Sequence, residues 1–134
     1  MKVLSAKSLA VLMFVAGAFV AGASPLEKQM ESLNKVYKAL RKEADPAKAA
    51  VLARDAQAIV AKGFSEAPKT VASMPEGPEK TRAAAGYRKM MGRLYVAFCE
   101  VEEAGLAGKA DGVAKGLESL KALKKEGHNR FMED

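Results

Sequence analysis

The sequence predicts an all-α fold: an antiparallel up-down-up-down four-helix bundle over residues 24–134, preceded by a cleavable signal peptide over residues 1–23. Three observations lead there. Apolar residues recur at spacings of 4 and 3, the period of a helix seam. Ser-Pro, Asp-Pro and Gly/Pro clusters cut the chain into four such stretches. The alternating β-branched runs that announce strands are missing from the sequence.

The signal comes first in the chain. Lys2 and Lys7 supply positive charge, residues 9–20 are apolar, and Ala21-Gly22-Ala23 has the small-x-small pattern that precedes a cut. A spanning helix wants about 20 apolar residues. This run has 12 and is followed by small residues and Pro25, so cleavage before Ser24 is expected in place of a membrane anchor. Export of this kind points to an oxidising compartment, the periplasm if the cell is Gram-negative, with no membrane span after cleavage.

The first helix is announced by Ser24-Pro25-Leu26-Glu27, a Ser cap, a Pro at the first helical position and a Glu three residues after the cap. Its seam is Leu26, Met30, Leu33, Tyr37 and Leu40. Ala44-Asp45-Pro46 ends it and starts the second, because Asp45 can cap and Pro46 has no N–H to lose. The second helix is expected to reach about Glu66, with Leu52, Ala56, Ile59 and Gly63 inward. Prolines at 68, 75 and 78 make residues 68–78 the one long connection, which nothing helical is expected to cross.

The third helix is expected from about Glu79 to Ala107, on the seam Tyr87, Met91, Leu94, Phe98 and Val101, with Gly105 and Gly108 weakening its end and making the turn. The fourth runs from about Lys109 to Phe131, its buried line being Val113, Leu117, Leu120, Leu123 or Lys124, His128 and Phe131.

Charge and cysteine usage narrow the function. The formal charge is +6, and Lys2 and Lys7 of the signal account for two of it. Charges of both signs alternate along the polar faces and no basic block is interleaved with aromatics, so nucleic acid is not an expected partner. Cys99 is the only cysteine, which excludes an internal disulfide. Within Val96-Ala97-Phe98-Cys99-Glu100 it reads as a buried, inert thiol, the alternatives being an intermolecular disulfide or a reactive thiol. A monomer is expected, with a dimer as the alternative.

The bundle topology brings two distant residues together. The start of the first helix and the end of the fourth share one end of the bundle, Met30 lies six residues after Ser24, and His128 lies six residues before Asp134. At about 1.5 Å per residue both sit roughly 9 Å from that end. Met30 is on its helix seam, and His128, 11 residues after Leu117, falls about 20° off the same stripe at 100° per residue. Both are expected to face inward, where a flat ligand between the first and fourth helices would meet sulfur on one side and imidazole on the other. Plainer readings stand beside this one: a methionine on a seam is usually core filler, and a histidine near a helix C-terminus is favoured by the dipole.

The segments Leu26-Glu27-Lys28-Gln29-Met30-Glu31-Ser32-Leu33-Asn34 and Gly127-His128-Asn129-Arg130-Phe131 resemble the first and last helices of the cytochrome b562 family, itself a standard example of this topology. The resemblance extends over the mature chain, mostly as helical pattern outside those two segments. It implies a soluble periplasmic protein with one haem b (iron protoporphyrin IX) per chain, Met30 and His128 as the axial iron ligands, and Tyr87, with Met91 one turn on, beside the haem on the third helix. Where the family's best-known member has arginines about a turn on either side of the histidine, this chain has Lys124 and Met132. Lys124, Lys125 or Arg130 would then meet the haem carboxylates, against the plainer reading of solvated helix-end cations.

With no Cys-x-x-Cys-His, any haem is held without thioether bonds. Met and His together fill both axial positions and leave none open for a substrate, so electron transfer with unidentified redox partner proteins is expected, not enzyme chemistry. Glu100, Glu102 and Glu103 read as a solvated face. Two alternatives remain at this stage: a copper site using Met30, His128 and Met132, and a bundle without cofactor that binds a partner protein in a stress or signalling role.

Overall fold

A computed structural model describes residues 24–132. The expected export signal, residues 1–23, lies outside the described residues. Five helices are present among the described residues: α1 (Pro25–Lys42), α2 (Pro46–Gly63), α3 (Lys69–Ala72), α4 (Pro78–Leu106) and α5 (Ala110–Phe131). No strand occurs among the described residues. None of these helices is long and apolar enough to cross a membrane.

Local chemistry explains the boundaries. The Ser24 hydroxyl accepts the Glu27 N–H at 3.2 Å and Asp45 Oδ1 accepts the Ala47 N–H at 3.0 Å, so each of the first two long helices begins on a side-chain cap followed by proline. At the far end of α4, Gly108 takes φ +69, its N–H reaches the Gly105 carbonyl at 3.0 Å, and the Lys109 N–H reaches that of Ala104 at 2.9 Å. This paired closure satisfies two carbonyls that the helix would otherwise leave open.

No helix crosses the long connection, as expected, but the stretch is not wholly irregular. It holds one helical turn, α3, in which the Pro68 carbonyl accepts the N–H groups of Val71 and Ala72, both at 2.9 Å. Proline ends a helix behind it but readily begins one ahead of it, and Val71, buried to 3% exposure, anchors the turn in the core.

The core runs the length of the bundle through Leu40, Val60, Met91, Phe98, Val101 and Leu120. The inward face of α2 is the expected one only in part, at Ala56 and Gly63. Ala49, Ala50, Ala53, Ala56, Gln57, Val60 and Gly63 are buried, while Leu52 and Ile59 are only half-buried. The reason is close approach: a β-carbon on Gly105 would stand 2.5 Å from the Pro46 carbonyl oxygen and 3.0 Å from the Ala50 nitrogen. At such a distance only small side chains fit between the backbones, and this contact, beyond the turn that its carbonyl helps to close, is what demands a glycine at 105.

The same contacts give the order of packing. Gly63, at the end of α2, faces Leu26 and Gln29 near the start of α1; Gly105 faces the start of α2; Gly116 of α5 meets Val101 of α4, and Gly86 meets Arg130 and Phe131. Thus α1 packs on α2, α2 on α4 and α4 on α5. Between α1 and α5 there is no comparable backbone contact.

Polar ties reinforce two of these seams. Gln57 Nε2 donates to Glu102 Oε1 at 2.8 Å, with Arg54 4.0 Å from the other oxygen, so Glu102 links α2 to α4 and is not the freely solvated carboxylate expected. Arg93 and Glu126 pair at 2.8 Å between α4 and α5. The Arg93 hydrogen bond is the main reason the Glu126 carboxyl titrates below the usual range.

Candidate functional site

The gap between α1 and α5 is a half-open cleft of about 380 Å³, floored by α4. Its walls are mainly apolar: Leu33 and Tyr37 from α1, Met90, Leu94 and Phe98 from α4, Leu120 and Phe131 from α5. The residues singled out from sequence, Met30, Tyr87, Met91, Lys124 and His128, all line this one cleft. Its size lies toward the lower end of the range of about 300–1,000 Å³ typical of small-molecule sites.

The two candidate axial residues are unequal in burial. Met30 is half-buried on the α1 wall, while His128 is exposed at the mouth. His128 is therefore not part of the buried line of α5, which runs through Val113, Gly116, Leu120 and Phe131. Gly127 is the residue turned toward α4, close enough that a β-carbon there would lie 3.5 Å from Met90, and the next residue is rotated about 100° from it, onto the rim.

Tyr87 stands out chemically. Its ring is buried to 6% exposure and meets Phe131 edge to face, with centroids 5.6 Å apart. The hydroxyl is buried with no hydrogen-bond partner. Burial, aided by the nearby Glu66 carboxylate, pushes its pKa up to about 12. Met91 is buried to 2% exposure, its terminal methyl lying where a Gly63 side chain would otherwise be.

Lys124 bridges the opening. From α5 its Nζ donates to Asn34 Oδ1 of α1 at 2.8 Å and lies 5.0 Å from the centre of the Tyr37 ring. Asn34 and Tyr37 were not among the expected site residues, because nothing local in the sequence links them to a lysine on the last helix. Arg130 instead lies over the Phe131 ring and 3.7 Å from Glu126. Met132 lines the mouth, 43% exposed.

Cys99 does not line the cleft. It is half-buried, not fully buried as expected, since its side of α4 is incompletely covered. Burial raises its thiol pKa, and Glu102, Glu103 and Glu100 raise it further.

A flat, largely apolar ligand suits this arrangement on three counts. The α1 and α5 backbones stand apart where it would enter, the walls are apolar, and a soft thioether and an imidazole lie on opposite helices of the opening. The buried Tyr87 hydroxyl adds a polar group that the protein itself leaves unpaired. The family model for cytochrome b562 matches residues 25–132, nearly all of the described chain.

The chain belongs to the cytochrome b562 family. That family binds b-type haem non-covalently, and haem-binding helical cytochrome is accordingly the functional class of this member. Comparisons with curated proteins and with solved structures returned no match.

Proposed function

We propose that this cytochrome b562 family member is a periplasmic electron carrier, an up-down-up-down bundle that holds one haem between Met30 and His128. The observation that carries the reading is the convergence of both residues on one apolar cleft, from opposite ends of the chain. When bound, the haem supplies a one-electron iron centre that alternates between ferric and ferrous states.

The residues of the chain then have distinct tasks. Met30 offers a soft thioether, which favours the reduced metal, and His128 offers a harder imidazole nitrogen. Leu33, Leu94, Phe98 and Leu120 exclude water from the cleft interior. Tyr87 and Phe131, locked edge to face, give a rigid aromatic wall. Lys124, already reaching across the mouth, is the cation best situated to meet the haem carboxylates, more so than Arg130, which is engaged by Glu126.

With Met30 and His128 as its two protein ligands the iron would have no open position for a substrate, so the reading is one of electron transfer without turnover. The experiment is to express the mature chain with added haem and record its visible spectrum, in the wild type and in Met30→Ala and His128→Ala. A haem:protein ratio of one and sharp reduced bands support the proposal. Copper stoichiometry without haem would support the alternative built on Met30, His128 and Met132.

A further inference from the structure

We infer that Thr70 is a positioning residue for His128: from the long connection its hydroxyl caps the C-terminal end of α5 and holds the turn that presents the imidazole to the cleft. The inference rests on the reading of His128 as a haem ligand.

Thr70 Oγ1 donates to the carbonyl oxygen of Phe131, 61 residues further along the chain. That carbonyl is one of the four that the C-terminal turn of any helix leaves without an internal partner. At α4 the open carbonyls are closed by the left-handed Gly108. At α5 no such glycine follows. Met132 is extended, φ −105 and ψ 147, and its N–H reaches back to the His128 carbonyl at 3.1 Å. The last turn of α5 is thus closed in part from outside the helix, by Thr70.

The donor is itself well anchored. Val71, the next residue, is buried in the core, Pro68 is buried, and Lys80 Nζ donates to the Ala72 carbonyl at 3.1 Å and to Glu76 at 2.6 Å. A single turn of helix with no packing of its own would be too mobile to cap another element, but this one is held at both ends. Phe131 in turn is fixed by its buried ring against Tyr87. His128 lies three residues before Phe131, within one helical turn, so fraying of the terminal turn would displace the imidazole directly.

The test uses Thr70→Val, which keeps the shape and removes the donor, and Thr70→Ser, which keeps the donor. In the haem-free chain, the amides of residues 129–132 are expected to exchange with solvent about fivefold faster in Thr70→Val, the effect of losing one ordinary hydrogen bond on local opening. In the haem-loaded chain, Thr70→Val is expected to release haem several-fold faster to a competing apo-globin and to gain high-spin character, with Thr70→Ser close to wild type. Wild-type exchange and haem release in Thr70→Val would overturn the inference, and so would faster exchange with unaltered haem spectrum and release. An unaltered spectrum in His128→Ala identifies a different failure, that of the ligand reading, since amide exchange in Thr70→Val still reports the cap independently.

Discussion

Gly105 of α4 lies so close to Pro46 of α2 that a β-carbon would stand 2.5 Å from the proline carbonyl oxygen. That carbonyl belongs to backbone at a helix start and cannot swing aside as a flexible side chain can. Gly105→Ala is therefore expected to destabilise the haem-free chain by about 1–3 kcal/mol, the cost of overpacking a close contact. Gly92, on the same helix, has nothing within 4 Å of the equivalent position. Gly92→Ala is expected to stabilise by about 0.5–1 kcal/mol through helix propensity alone. Urea unfolding of the two variants checks the contrast, and equal effects would contradict it.

The unpaired hydroxyl of Tyr87 makes a prediction of opposite sign to the usual truncation. Removing it deletes a buried polar group that has no partner, so Tyr87→Phe is expected to stabilise the haem-free chain by about 1 kcal/mol. The pH dependence follows from the same cause. Because the folded pKa is raised from 10.0 to about 12, the fold favours the neutral phenol. Its contribution is fully present below pH 10 and is lost as pH rises through 12. Tyr87→Phe should lose less stability than wild type between those values, as measured by denaturation at successive alkaline pH.

Cys99 is expected to react slowly. Its thiol pKa is raised by burial and by three neighbouring carboxylates, so the thiolate that attacks alkylating reagents is scarce near neutrality. Iodoacetamide labelling of the folded chain at pH 8 should run several-fold slower than labelling of a free cysteine and should speed up on unfolding. A rate equal to that of free cysteine would contradict this.

Lys124 joins the two walls of the cleft through Asn34 and Tyr37. In the exposed mouth such a hydrogen bond is worth little to the fold itself, so Lys124→Met should change haem-free stability by less than about 1 kcal/mol. Haem affinity is expected to fall roughly tenfold, as for one lost charge-assisted contact of about 1.5 kcal/mol. Titration with haem measures it, and unchanged affinity would assign the haem carboxylates to another cation.

Much of this organisation was legible before any coordinates. The seams of α1 and α4, the Ser24 and Asp45 caps and the Gly108 turn follow from spacing and local chemistry, and their boundaries fall within a residue or two of expectation. The inward face of α2 was legible only at Ala56 and Gly63, because alanine suits either environment and only the distance to α4 decides which alanines are covered. The α3 turn escaped notice for its length, four residues between prolines. Met30 and His128 were paired through level and facing, and Tyr87, Met91 and Lys124 through the family resemblance, yet the rim position of His128 depends on which neighbour, Gly127 or His128, turns toward α4. Asn34, Thr70 and Gln57 owe their roles to partners 90, 61 and 45 positions away, and no local pattern announces such pairs.

The ferric, haem-loaded chain offers the most direct measurement: its low-spin bands and the near-infrared sulfur-to-iron charge-transfer band, compared among wild type, Met30→Ala and His128→Ala. Met/His ligation predicts the charge-transfer band in wild type, its loss in Met30→Ala, and high-spin or misligated iron in His128→Ala. Spectra identical in all three proteins would contradict the account.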